Sequence, residues 1–180
     1  GFLNSHPNLD IDQQELPSSR ITHALRQGAA DLGIVSDAVD TAGLQTWPFR
    51  DDPLVLVLPS GHPLADGRTP SFSETLGHDY VGLNASSALA IHLEEQALHL
   101  GSRMQIRIRA DGFDGVIRMV AHGAGIAIVP NAAIERRPRE PAFHCVPLQE
   151  AWAHRALLLC ARNFERLPAY AKAMARHLAE

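Results

Sequence analysis

The chain has 180 residues, 46% of them hydrophobic and 20% charged, with 16 Lys and Arg against 20 Asp and Glu for a formal net charge of −4. An acidic balance without a basic run supplies no phosphate-binding face, which argues against a nucleic-acid module within these residues. No apolar run approaches the roughly 18 residues of a membrane span, and Cys145 and Cys160, too few for a disulfide framework, read as buried reduced thiols suited to the cytoplasm.

Gly1 to Asp10 has neither a basic start nor an apolar stretch, so no signal peptide is expected. Phe2-Leu3 before His6-Pro7-Asn8 reads as the last turn of a helix stopped by proline. Leu9-Ile11 alternation predicts a half-buried strand over 9–12. Ser18 or Ser19 caps a helix whose Ile21, Ala24 and Leu25 share a face, with Gly28 as its left-handed stop. Leu32 to Val35 reads as a short strand of the kind buried in a parallel sheet. Leu44 to Phe49 and Leu54 to Leu58 form a further strand pair.

The scheme then repeats. Tyr80 to Leu83 is a strand, and Asn84-Ala85-Ser86-Ser87 opens a helix carrying Leu89, Leu93, Ala97 and Leu100. Met104 to Arg109 is a strand with one wet face, Phe113 to His122 a helix with Val116, Ile117 and Val120 inward, and Ile126 to Pro130 a buried strand. Phe143 to Leu148, Leu157 to Ala161 and a helix from about Pro168 complete the chain. Such alternation predicts an α/β fold with right-handed crossovers. Turn-rich 59–67 and charged 136–141 are the expected crossings between two lobes, one formed by 1–58 with 143–180 and the other by 59–142, with a cleft and a hinge.

Gly123-Ala124-Gly125 resembles half a dinucleotide fingerprint, but it follows a helix and precedes a strand, the reverse of a phosphate loop, so a glycine turn is expected and no cofactor. The ten histidines show no metal-ligand spacing, and no serine lies in a Gly-x-Ser-x-Gly elbow. Asn84, Ser86 and Ser87 place polar groups at the positive end of a helix dipole, which suits a carboxylate; plain N-capping is the alternative. Ser36-Asp37 follows a strand's carboxyl end, where open α/β sheets bind ligands, or is a turn. Phe113 is either an apolar ligand wall or a staple at a helix start, with Asp111 or Asp114 as the N-cap.

The run Leu25-Arg26-Gln27-Gly28 followed by Ala30-Asp31-Leu32-Gly33-Ile34-Val35 resembles the L-x-x-G-x-x-D-L-(A/G)-I segment of LysR-type transcriptional regulators, in their effector-binding domain. The resemblance continues through Leu44, Phe49, Asp52 to Leu58, Gly61-His62-Pro63-Leu64-Ala65 and Val120 to Pro130. It implies two Rossmann-like lobes with a hinge, like the type 2 periplasmic binding proteins, with the first strand and most of the first helix absent before Gly1. It also implies a small-molecule effector in the cleft, a homodimer or homotetramer, and DNA binding only through an N-terminal helix-turn-helix absent from these residues. Carried onto this sequence, the effector-binding residues are Ser36, Asn84, Ser86, Ser87, Phe113, Gly125 and Ile126, with no catalytic residue, cofactor or metal. A solute receptor of the same fold is the rival; an enzyme would need a convergent acid–base pair, for which no useful spacing is found. A Ser86→Ala, Ser87→Ala double variant is expected to lose effector and keep its melting temperature.

Overall fold

A computed structural model of the protein describes residues 2–135 and 142–179. The chain divides into two compact units, residues 1–51 with 156–180 and residues 52–155. The expected boundaries at 58/59 and 142/143 therefore move outward to Asp51/Asp52 and Arg155/Ala156. The reason is strand pairing, as set out below. The turn region 59–67 lies inside unit 2, and the expected crossing at 136–141 falls outside the described residues.

Unit 2 contains β3 (Leu54–Pro59), α3 (Phe72–Thr75), β4 (Asp79–Leu83), α4 (Ala88–His99), β5 (Gln105–Ala110), α5 (Phe113–Ala121), β6 (Ala127–Pro130), α6 (Asn131–Glu135) and β7 (Phe143–Pro147). Strand β3 is antiparallel to β6 on one side and to β7 on the other, which is why it cannot belong to the other unit. Strands β4 and β5 are parallel, and a parallel bridge between Tyr80 and Ile126 joins them to β6. Alternation along β3 sends Leu54, Leu56 and Leu58 to one face and Val55 and Val57 to the other. Leu89, Leu93 and Ala97 of α4 cover the first face; Val116, Ile117 and Val120 of α5 cover the second. Helix α3, which the sequence reading passed over, starts with a capping box in which Ser71 N–H donates to Glu74 at 2.7 Å.

Unit 1 holds α1 (Phe2–Ser5), α2 (Ser18–Gln27), β1 (Gly33–Ser36), β2 (Gln45–Asp51), β8 (Ala156–Ala161) and α7 (Ala169–Ala179). Strand β8 lies between β1 and β2, antiparallel to both. The parallel neighbour expected for β1 is thus replaced by an antiparallel one. Val35 and Cys160 pack with Leu25 of α2, while Leu159, Ala161 and Phe164 pack with Ala175 of α7. Gly28 closes α2 with φ 74°, its N–H returning to the Ala24 and Leu25 carbonyls, as its glycine suggested.

Three expectations about these elements are corrected. Residues 9–12 form no strand, and Ile11 is 46% exposed, because their backbone finds no ladder partner among the described residues. Leu100 follows the end of α4 and is exposed instead of lining its apolar face. Cys145 is exposed, since β7 is an outer strand of its sheet; Cys160 is buried as expected. Among the described residues no helix is long and apolar enough to cross a membrane.

Asp52 and Arg155, the first and last residues of unit 2, are bonded to one another. Asp52 N–H donates to the Arg155 carbonyl at 3.2 Å. The Arg155 guanidinium donates to the Asp52 carbonyl at 3.0 Å and to its carboxylate at 3.1 Å. The Arg155 and Asp52 side chains are 20% and 7% exposed respectively, and Asp52 Oδ1 is buried with no hydrogen-bond partner among the described residues. Arg155→Met should lower unfolding free energy by about 3–5 kcal/mol, whereas adding Asp52→Leu should restore most of it, read by a urea-denaturation double-mutant cycle.

His92 of α4 meets the edge of Trp152, ring centroids 5.3 Å apart, and its pKa is lowered first by burial and then by Arg155. Unfolding returns it to about 6.5, so the unfolded chain binds the proton more readily. Stability present above about pH 6.5 is therefore lost as pH falls towards the lower folded value. His62, lowered by burial and by His78, acts with the same sign. Melting temperatures measured across this window should fall less steeply for His92→Gln than for the parent.

Candidate functional site

The parallel register of β4 and β5 pairs Leu83 with Ala110, so both strands end at one edge of unit 2. The next residues are Asn84 and Asp111, and the Asn84 carboxamide donates to the Asp111 carboxylate. Asn84 N–H also donates to the Ala110 carbonyl at 3.2 Å. Arg109 fixes this edge, donating to the Leu83 carbonyl and to Glu94 of α4, each at 3.0 Å.

From Asn84 the chain turns into α4. Ser87 N–H donates to the Asn84 carbonyl at 2.9 Å, and Ser87 Oγ caps the helix by accepting from Ala90 N–H at 3.2 Å. The Ala88 and Leu89 amides, in the first turn, have no intrahelical acceptor, and they lie at the positive end of the helix dipole. Ser86 is exposed beside them. Thus Ser87 fulfils the capping reading, and Ser86 is left as the hydroxyl available to a ligand. The expectation that a Ser86→Ala, Ser87→Ala variant keeps its melting temperature is corrected, because losing the cap costs about 1 kcal/mol.

Phe113 opens α5, half-buried against the cores on both faces of the sheet. As the first helical residue, after the Gly112 N-cap, it does not occupy the position of a hydrophobic staple. The N-cap of α5 is Gly112, not Asp111 or Asp114.

Gly125 and Ile126 lie at the other end of the sheet. Ile126 N–H donates to the Asp79 carbonyl at 2.9 Å, and Val81 N–H to the Ile126 carbonyl at 2.8 Å, at the beginning of β4. Strand length separates them from Asn84 by about 15 Å. Ile126 is 1% exposed, a core residue. The glycines here make a helix-to-strand turn, with φ 80° at Gly123 and 152° at Gly125, as the reversed order of elements suggested. A cavity of about 20 Å³ behind β4 is lined mainly by core residues such as Tyr80, Leu89 and Ile128, with room for about one water and none for a metabolite.

In unit 1, Ser36 stands at the carboxyl end of β1. Its N–H donates to Ser18 Oγ at 3.1 Å, and its own Oγ accepts from Ala38 N–H at 3.3 Å. The expected cap at Ser18 or Ser19 is corrected: Pro17 precedes α2 and no side chain caps it, while the Pro17 carbonyl accepts from Arg20 N–H at 2.8 Å, so the amides without an intrahelical acceptor are those of Ser18 and Ser19.

The LysR substrate binding domain family matches residues 1–180. The chain is a LysR substrate-binding domain. A probable hydrogen peroxide-inducible genes activator of Mycobacterium avium is 27% identical over 139 residues, 74% of this chain and 43% of that relative. The Synechocystis PCC6803 CcmR regulatory domain in complex with 2-PG superposes with a TM-score of 0.75 at 17% identity, covering 99% of this chain and 86% of that one. The BenM effector-binding domain with its effector benzoate gives a TM-score of 0.65 at 20% identity, over 98% and 82% of the two chains. The structural likenesses establish the fold. The chain spans about half the length, or less, of the first relatives it matches.

Within this LysR domain, sequence reading missed Asp111 as the partner of Asn84 and Ser18 as the partner of Ser36. Both are strand-end or helix-start residues, and that position was the signal available. Gly125 has a structural role instead: a β-carbon there would stand 2.4 Å from the Asp79 carbonyl oxygen. Gly125→Ala should destabilise the fold by on the order of 2 kcal/mol or more, from strain and the positive φ. A lowered urea midpoint with unchanged slope would register it.

Proposed function

We propose that this chain senses a small anionic metabolite and passes the signal to DNA-binding segments elsewhere in the protein. The observation that carries the proposal is the edge of unit 2, where exposed Ser86, the Asn84 carboxamide and the Ala88 and Leu89 amides without intrahelical acceptors stand together at the start of α4. Family membership and the naming of known relatives as transcriptional regulators support it. So do the ligands carried by the fold neighbours, 2-PG, shikimate and benzoate. In unit 1, Ser36 and Ser18 occupy the corresponding kind of position. No catalysis is needed, because effector binding alone does the work. Moving a two-state equilibrium from mostly one form to mostly the other takes roughly 5 kcal/mol of differential affinity. A single hydrogen bond contributes about 1 kcal/mol, so several of these groups act together. The whole protein is then a cytoplasmic homodimer or homotetramer that contacts DNA through an N-terminal helix-turn-helix.

The test is a thermal-shift screen with benzoate, shikimate and 2-PG, followed by calorimetry with the strongest stabiliser. Ser86→Ala should weaken that ligand about fivefold or more while preserving the melting temperature of the free protein. Equal affinity in Ser86→Ala and Asn84→Ala would refute the placement. No stabilisation by any of the three would count against the anionic class.

A further inference from the structure

Unit 1 holds a second feature, distinct from the Ser18–Ser36 contact: a cavity of about 530 Å³ at the carboxyl end of α2, within the size range of small-molecule sites. Its charged walls are Asp31, Arg162 and Arg166, and its apolar walls include Leu167 and Pro168. The Arg162 guanidinium lies against Gly28, where a β-carbon would stand 3.5 Å from Nη1. Among the described residues no ion pair joins either arginine to Asp31 or to another carboxylate. Groups of opposite charge thus face one open volume without neutralising each other. The carbonyl end of α2, with its partial negative charge, lies on the same side as Gly28.

A plain anion would satisfy the arginines but face Asp31 and the helix carbonyls. A plain cation would meet the reverse conflict. A ligand bearing both charges answers every group. We propose that this cavity binds an α-amino acid with an apolar side chain. Its carboxylate pairs with Arg162 and Arg166, its ammonium with Asp31 and the carbonyl end of α2, and its side chain lies over Leu167 and Pro168. Arginine suits the carboxylate because its planar fork gives paired, charge-assisted hydrogen bonds. Helix α2 is ten residues long and holds Ser36 through Ser18 at its other end, about 15 Å away. An occupied cavity therefore bears on the helix that positions the strand end in unit 1.

Calorimetric titration with L-leucine tests this, beside 4-methylpentanoate, which lacks the ammonium, and 3-methylbutylamine, which lacks the carboxylate. Leucine should bind at one saturable site, and each analogue should bind roughly tenfold more weakly or worse. Arg162→Gln with Arg166→Gln changes only exposed side chains and should weaken leucine roughly tenfold or more, with Asp31→Asn acting in the same direction. Ser86→Ala should leave leucine affinity unchanged. Absence of saturable heat at millimolar leucine overturns the proposal, as does equal affinity in the double arginine variant. Leucine binding lost in Ser86→Ala but kept in the arginine variant also overturns it, and instead places leucine at the effector site of unit 2.

Discussion

Unit 2 is tied at its base by Asp52 and Arg155, where the chain enters and leaves it. The pair removes two charges from water, a cost that Coulomb attraction offsets only when geometry is good. Here one backbone bond and two guanidinium bonds supply that geometry, although Asp52 Oδ1 is left without a partner. Two residues later β3 begins, and β3 has a ladder on each edge and feeds side chains to both cores. A slip of one residue would exchange Leu56 and Leu58 with Val55 and Val57 between faces that differ in depth and covering. The ion pair fixes the chain just before the strand least able to tolerate such a slip.

From that register the edge proposed to bind effector follows. Strand β6 is placed by β3, and β4 by its bridge to Ile126, so the parallel pair β4 and β5 ends together at Asn84 and Asp111. Tyr80 anchors the same strand from within: its hydroxyl donates to Thr75, whose own hydroxyl donates to the Phe72 carbonyl at 2.6 Å. Burial raises the Tyr80 pKa, keeping the phenol a neutral donor. Core packing thereby sets where the polar edge stands, although Asn84, Ser86 and Asp111 are themselves exposed.

Much of this was legible in the residues, because period and punctuation carry local information. Leu54 to Leu58 announced a buried strand, Gly28 a left-handed stop, and Ser86 or Ser87 a possible cap, of which the structure uses Ser87. What failed depended on partners far along the chain. Residues 9–12 alternate as a strand should, yet a strand exists only where another backbone pairs with it. The antiparallel neighbour of β1 is β8, more than a hundred residues away, and nothing local in Gly33–Ser36 specifies it. The unit boundary failed for the same reason: the turn at Gly61 is a strong local signal, while the choice of β3 to pair with β6 and β7 is not local. Glycine before a strand marks a close backbone approach without saying to what; at Gly125 the approach is to the Asp79 carbonyl, at the end of β4 away from Asn84.

The edge at Asn84 has a distinctive electrostatic character. Arg109 donates to the Leu83 carbonyl just before it and pairs with Glu94, and the Asp111 carboxylate is engaged by Asn84. The groups that the proposed site offers an anion are amide and hydroxyl donors and a helix dipole. Such donors are directional, so they select by shape and by the placement of acceptor atoms more than by net charge. The binding strength of each is modest, which suits a sensor that must release its ligand when concentration falls. The net charge of −4, which spoke against a nucleic-acid surface, is compatible with this kind of recognition, because selective binding of an anion through oriented backbone and side-chain dipoles does not require a basic protein.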